Sequence, residues 1–223
     1  MIVVKAMEVF ARKGFEGATS RDLAAAAGVS EGLIYKYFPT KEALYQELAS
    51  LLRADSERFS GLFAGTTPDG AAFVEAFYTL ARLILFGPPG RAKDTSVDRL
   101  IGQSLLGDGT FAAAFLENLF HPIVPFLVEC LAVAYADGDI DGRHVPGEFQ
   151  CVLFHHLIGT IALFRLPELP MLPAMEPEAL LRDLLLFAYR GIGFTEAALG
   201  RYVDFERLDR HFLATLTKRT NPS

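Results

Sequence analysis

Apolar residues recur three and four positions apart along nearly all of the 223 residues, and no stretch keeps the strict alternation of a half-buried strand. No Asn-Gly hairpin signal interrupts the pattern. This periodicity restricts the chain to an all-α fold, with helices punctuated by glycine and proline. Ile2, Ala6, Val9, Phe10 and Lys13 trace one face of a first helix, which Gly14 is expected to end. Thr19 is the N-cap of a short second helix through Ala27, with Asp22 favourably placed in its first turn and Gly28 stopping it. Ser30 caps a third helix from Glu31 to Phe38, which Pro39 closes. Thr40 starts a fourth, with Lys41, Leu44, Leu48 and Leu51 at helical spacing and an end near Ser60.

Beyond a Gly/Thr/Pro break at 65–70, helices are expected over 71–86, 95–106, 110–136, 147–166, 177–192 and 196–218. The expected architecture is an N-terminal three-helix helix-turn-helix domain over 1–46, then a larger helical bundle over 47–223.

Composition narrows the function. Net charge is −6, which excludes a polyanion-binding surface over the whole chain. Residues 1–41, however, hold six Lys/Arg against four Asp/Glu, so a mildly basic head precedes an acidic body. Cys130 and Cys151 are the only cysteines, which suggests no disulfide framework. The N-terminus lacks the charged and apolar regions of a signal peptide. The apolar block Cys151–Phe164 is shorter than the roughly 18 residues of a membrane span. A soluble, cytoplasmic protein without a membrane partner is expected.

The stretch Ala24–Leu44, AAAAGVSEGLIYKYFPTKEAL, carries the chemistry. Two short helices joined by a tight glycine turn form the arrangement whose second helix enters the major groove of DNA. At ~100° per residue, Ile34 and Phe38 share the face that meets Leu23, Ala27 and the first helix. Gly32, Leu33 and Lys36 then point outward, and Tyr35 and Tyr37 flank them. Gly32 admits close backbone approach, Lys36 aims a flexible cation at the groove, and the two phenols can donate to phosphates. Lys41 lies in the first turn of a helix, where its charge opposes the dipole, so an external anion is expected to explain it. The alanines permit the second helix to cross closely over the third.

These residues resemble the N-terminal domain of the TetR/AcrR family of transcriptional regulators. Residues 2–48 follow the family pattern through Phe10, Gly14, Phe15, Thr19, Arg21, Asp22, Leu23, Ala24, Ala27, Gly28, Val29, Ser30, Gly32, Tyr35, Phe38, Lys41, Glu42 and Leu44. The resemblance implies a homodimer reading a palindromic double-stranded DNA operator, and a C-terminal domain whose small-molecule effector releases the DNA. It implies phosphate contacts from Thr19, Arg21, Tyr35, Lys36, Tyr37 and Lys41, with Gly32, Leu33 and Lys36 nearest the base edges. Three departures stand out. The family usually has a basic arm and another turn before the first helix, whereas this sequence enters that helix at Ile2; either a start further upstream was missed or the arm is short, and a short arm is expected to weaken non-specific binding. Glu31 stands where relatives often carry a basic residue or proline. Ala18 and Ser20 replace a common threonine and a common apolar residue.

The C-terminal body resembles the family only in outline. Its signal is aromatic density without tryptophan: Phe73, Phe77, Phe86, Phe111, Phe115, Phe120, Phe126 and Phe154 can line an apolar cavity between helices. Pro122 and Pro125 fall inside the helix expected over 110–136 and would kink it, opening space for a ligand. The residues expected to meet a small hydrophobic effector are Phe77, Phe86, Phe111, Phe120, His121, Phe126, Phe154 and His155. Each phenylalanine taken singly is better explained by ordinary core packing. Cys151 and His155 share a helical face at a spacing compatible with two metal ligands, which His121 or Cys130 would have to complete. With no further partner clustered nearby, neither a metal site nor a cofactor is expected.

The helices over 147–166 and 177–192 offer a dimer surface. The resemblance implies a four-helix interface there, with Gly159, Leu180, Leu184, Phe187, Ala188 and Gly191 as the candidate stripe. The alternative from another functional class is an all-α small-molecule-binding protein or enzyme with a vestigial DNA-binding motif. No nucleophile triad, phosphate-binding glycine loop or catalytic carboxylate pair supports it, so no catalytic residue is expected.

Overall fold

The structure, a computed structural model, describes residues 2–48, 61–142, 147–166 and 175–220. Among these residues the fold is all-α, and its sole extended pairing is an isolated antiparallel bridge between Ile140 and Phe194. The chain divides into two compact units, one comprising residues 1–61 and 94–122, the other 62–93 and 123–223.

The first unit begins with helix α1, Ile2–Gly17, which buries Ala6, Val9, Phe10 and Ala11 along one stripe. Gly14 leaves helical geometry at φ 71°, and a further turn follows it. Helix α2, Ser20–Ala27, is short and ends in the left-handed Gly28. The amides of Gly28 and Val29 donate back to the Ala25 and Ala24 carbonyls, so glycine both stops the helix and aims the chain at the next one. Helix α3, Glu31–Tyr37, and helix α4, residues 41–48, complete the segment. The expected continuation of α4 toward Ser60 lies outside the described residues.

Two helices from later in the chain finish this unit's core. Helix α6, Ser96–Leu105, packs along α1, and helix α7, Thr110–Phe115, follows it. Leu100, Phe111 and Phe115 are buried in one cluster with Phe10, Leu23, Ile34, Leu44 and Tyr45. Tyr45 stands edge-on to Phe10 at 5.1 Å between ring centroids, and Phe111 closes over it at 5.8 Å. The buried Ser104 hydroxyl accepts from the amides of Phe111 and Ala112 at 3.0 and 3.1 Å, capping α7.

In the second unit, helix α5, Gly70–Phe86, is apolar on all sides and buried over most of its length, the pattern of a central core helix. Packed against it are helices α8, Val124–Ala136; α9, Glu148–Phe164; α10, Pro177–Ile192; α11, Glu196–Tyr202; and α12, Phe205–Thr220. Phe77 stacks face to face on Phe154 at 4.2 Å, and the Tyr189 hydroxyl donates to the Val74 carbonyl at 2.9 Å. Asp209 ties α12 down by accepting from Tyr78 at 2.6 Å beside Arg82 at 3.3 Å.

The single helix expected over 110–136 is interrupted. Thr110–Ala136 is apolar and long enough to cross a membrane by length and composition, yet it folds as α7, a π-helical turn Leu116–Phe120, a 3-10 turn His121–Ile123 and α8. Pro122 lies in the 3-10 turn and Pro125 in the first turn of α8, where a missing N–H costs nothing. The prolines therefore restart a helix rather than kink one. The last expected helix also divides, at Val203–Asp204, into α11 and α12.

Because Phe77 is fully buried and stacked, Phe77→Ala is expected to destabilise the second unit by ~3–5 kcal/mol, measured by denaturant unfolding.

Candidate nucleic-acid interface

Helix α3 is held by its ends and by one buried face. Ser30 accepts from the Leu33 amide at 3.2 Å, the Phe38 amide reaches the Ile34 carbonyl, and Pro39 prevents continuation. Ile34 is buried in the first unit's core and Phe38 half-buried beside it. The opposite side carries Glu31, Gly32, Tyr35, Lys36 and Tyr37, all exposed, with Leu33 half-buried. The angular reading of the sequence therefore holds for Gly32 and Lys36, whereas Leu33, also expected to point outward, is half-buried. Of the alanines, Ala24 is buried, Ala26 and Ala27 are half-buried and Ala25 is exposed.

Tyr35 is not a free phenol. Its hydroxyl shares a short hydrogen bond with the Ser20 hydroxyl, joining α3 to the start of α2. Two hydroxyls in one bond use a single proton, so the pair keeps a second to donate outward. Ser20, passed over at the sequence level except as a departure, thus belongs to the site. Its signal was a second hydroxyl directly after the N-cap.

Thr19 is committed to the fold. Its hydroxyl accepts from the Asp22 amide at 3.2 Å and donates to the Asp22 carboxylate at 2.7 Å, while its own amide donates to the same carboxylate at 3.1 Å. Both donors of Thr19 are spent, so its expected phosphate contact gives way to a capping role. Asp22 also meets Lys13 at 2.6 Å. Hydrogen bonds from Lys13 and then Thr19 hold its carboxyl far below the usual carboxylate range.

Lys41 departs from expectation more sharply. Its ammonium donates to the Phe15 carbonyl at 2.8 Å and lies 4.3 Å from the centre of the Phe15 ring. The internal carbonyl and ring face explain a cation that sequence reasoning assigned to an outside anion alone. Two of its three donors remain for a phosphate. Arg21 is an open cation, its side chain 89% exposed, with Glu31 at 3.9 Å.

The residues expected to meet an effector are divided between the two units. Phe77, Phe86, Phe126, Phe154 and His155 belong to the second unit, whereas Phe111, Phe120 and His121 belong to the first. Phe111 is core of the DNA-facing unit, packed on Tyr45, because α7 folds back there. Phe77 and Phe154 fill the space between α5 and α9 with their own rings. Phe126 stacks on Phe63 at 5.8 Å, and Arg165 lies over Phe86. His155 is buried and His121 exposed. Burial pushes the Cys130 and Cys151 thiols up to about 12, so both stay protonated at neutral pH. No group of three His, Cys, Asp or Glu is arranged to hold a metal among the described residues.

The dimer stripe also splits. Leu180, Leu184 and Ala188 are buried within their own unit, Gly159 is half-buried, and Phe187 and Gly191 are exposed. Phe187 and Gly191 line an open groove of about 510 Å³ with Asp183, Leu186 and Arg190. Phe149, Leu153 and Phe164 form an exposed apolar row on α9.

A depressed carboxyl stabilises the fold above its unfolded-state value, and that contribution is lost as pH falls toward its folded value. Wild-type thermal stability is therefore expected to drop below about pH 4, and Asp22→Asn to flatten this dependence in pH-resolved melting. Thr19→Ala is expected to cost ~1 kcal/mol in the same assay.

Comparison with known proteins agrees with this geometry. Residues 2–48 match the family described as bacterial regulatory proteins, tetR family. No curated protein matches the chain in sequence. Among solved structures, reduced E. coli NemR is similar at 17% identity and a TM-score of 0.61, with 87% of this chain and 96% of that one covered. A bacterial regulatory protein of the tetR family from Rhodococcus RHA1 is similar at 19% identity and a TM-score of 0.58, with the same shares covered. Salmonella enterica GusR is similar at 20% identity and a TM-score of 0.55, covering 86% of this chain and 93% of its own. Residues 2–48 thus match the tetR family of bacterial regulatory proteins, and the chain as a whole has the all-α fold of these solved structures.

Proposed function

We propose that the protein is a ligand-responsive repressor that binds a palindromic operator as a homodimer and is released by a small hydrophobic effector. The observation that carries the reading is the outward face of α3, with Lys36 exposed between two exposed phenols over a buried Ile34 anchor. Arg21 and the Ser20–Tyr35 hydroxyl pair extend that face to the start of α2, where phosphates flank the groove. In this reading residues 1–46 bind DNA and residues 47–223 serve the effector and the dimer.

Dimerisation is supported by the exposed apolar row of α9 and by Phe187, 69% exposed on α10. Side chains of this size standing in water on adjacent helices are the pattern of a surface that another chain covers. Leu180, Leu184 and Ala188 would hold α10 in place rather than meet the partner. An effector would have to part the stacked rings of Phe77 and Phe154 beside His155, favouring a conformation in which the two recognition helices fit their half-sites less well.

The test is fluorescence anisotropy with DNA from upstream of the protein's own gene, over a series of salt concentrations. Wild-type binding is expected to weaken steeply with salt, and Lys36→Ala to bind more weakly with a shallower slope. Salt-insensitive binding, or none at low salt, would count against the reading. Lys41→Ala is expected to lower thermal stability as well as affinity, because its ammonium also binds the Phe15 carbonyl. Phe187→Glu is expected to shift the protein to monomer in light scattering while its helix content stays unchanged.

A further inference from the structure

We propose that Glu31 reads a cytosine in each half-site and that Arg21 positions it, an inference that rests on the DNA-binding reading above. Glu31 is the first residue of α3, the end from which a recognition helix reaches base edges. Its side chain is 47% exposed and lies 3.9 Å from the Arg21 Nε on α2. That separation is longer than a hydrogen bond, so the carboxylate keeps its acceptors and the guanidinium its donors. Arg21 can therefore contact a phosphate on the groove wall while its charge holds Glu31 toward the groove floor and offsets repulsion from the backbone.

The chemistry of the carboxylate selects the base. An ionised Glu only accepts hydrogen bonds, and the major groove offers donors at the cytosine N4 amine and the adenine N6 amine. Adenine sets its N7 acceptor beside that amine and would repel the second carboxylate oxygen. Guanine and thymine present acceptors only. Cytosine has a C–H beside its amine and is the base that Glu31 tolerates and rewards. A carboxylate that served the helix dipole alone would carry no base preference.

The experiment is in vitro selection from a random duplex library with the full chain, wild type against Glu31→Gln, Glu31→Ala and Arg21→Ala, with melting curves as a folding control. The wild type is expected to enrich a cytosine at one position per half-site. Glu31→Gln is expected to select adenine there, because its amide can bond both N6 and N7. Glu31→Ala is expected to lose discrimination at that position by about tenfold or more while keeping the other positions. Arg21→Ala is expected to lower the cytosine preference as well as the overall affinity. If the Glu31 variants select the wild-type sequence and merely bind every duplex more tightly, Glu31 is a repulsive charge at a helix end and the proposal fails. If the wild type enriches no sequence at low salt, the DNA-binding reading fails first.

Discussion

Burial of Ile34 is the contact on which the DNA-facing surface depends. Helix α3 has seven residues, far fewer than the roughly 12–15 that a helix needs to persist alone in water. It exists because Ile34 enters a core already formed by Phe10, Leu23, Leu44 and Tyr45. Ser30 and Gly28 then fix where the helix starts and from which direction it arrives. With one face anchored and both ends capped, the rotation of α3 is set, and Gly32, Tyr35, Lys36 and Tyr37 face outward as a consequence. A recognition surface on so short a helix borrows all its rigidity from the helices beneath it.

Those helices are not all neighbours in sequence. Leu100 and Phe111 enter the same core from α6 and α7, and Ser104 caps α7 within it. Tyr45 shows how closed this core is: burial, aided by the charge of Asp108 and opposed by a hydrogen bond with Ser104, pushes its hydroxyl up to about 12. A segment distant in sequence thus packs directly against the DNA-binding helices. Displacing α6 or α7 would disturb the base on which α3 stands.

The DNA-facing half was legible in the sequence because its determinants are local. A threonine and an aspartate three residues apart, a glycine that needs φ of 66°, a serine cap and a proline stop each act within a turn of the residues they fix. Lys41 and Thr19 show where local reasoning ended. A cation at a helix start looks unsatisfied until a carbonyl and a ring 26 residues earlier are folded beside it. A capping threonine looks available to phosphate until both its donors are counted. Glu31 had no visible partner because Arg21 lies on another helix.

The C-terminal half was legible in class but not in detail. Periodicity gave the helices, yet identical phenylalanines became a ring stack at Phe77, a lid over Tyr45 at Phe111 and an exposed side chain at Phe187, according to which helix each one met. Nothing within a turn of any of them encodes that choice. The break in the 110–136 segment was signalled by Pro122 and Pro125, but a proline in the first turn is favourable where one in the interior is not.

The central claim is that α3 enters the major groove from a dimeric regulator. Hydroxyl-radical footprinting of the full chain on its selected duplex tests it most directly. The account expects two protected segments on one face of the DNA, with centres about one helical turn or a multiple of it apart. A single protected segment, or uniform protection along the duplex, would contradict it.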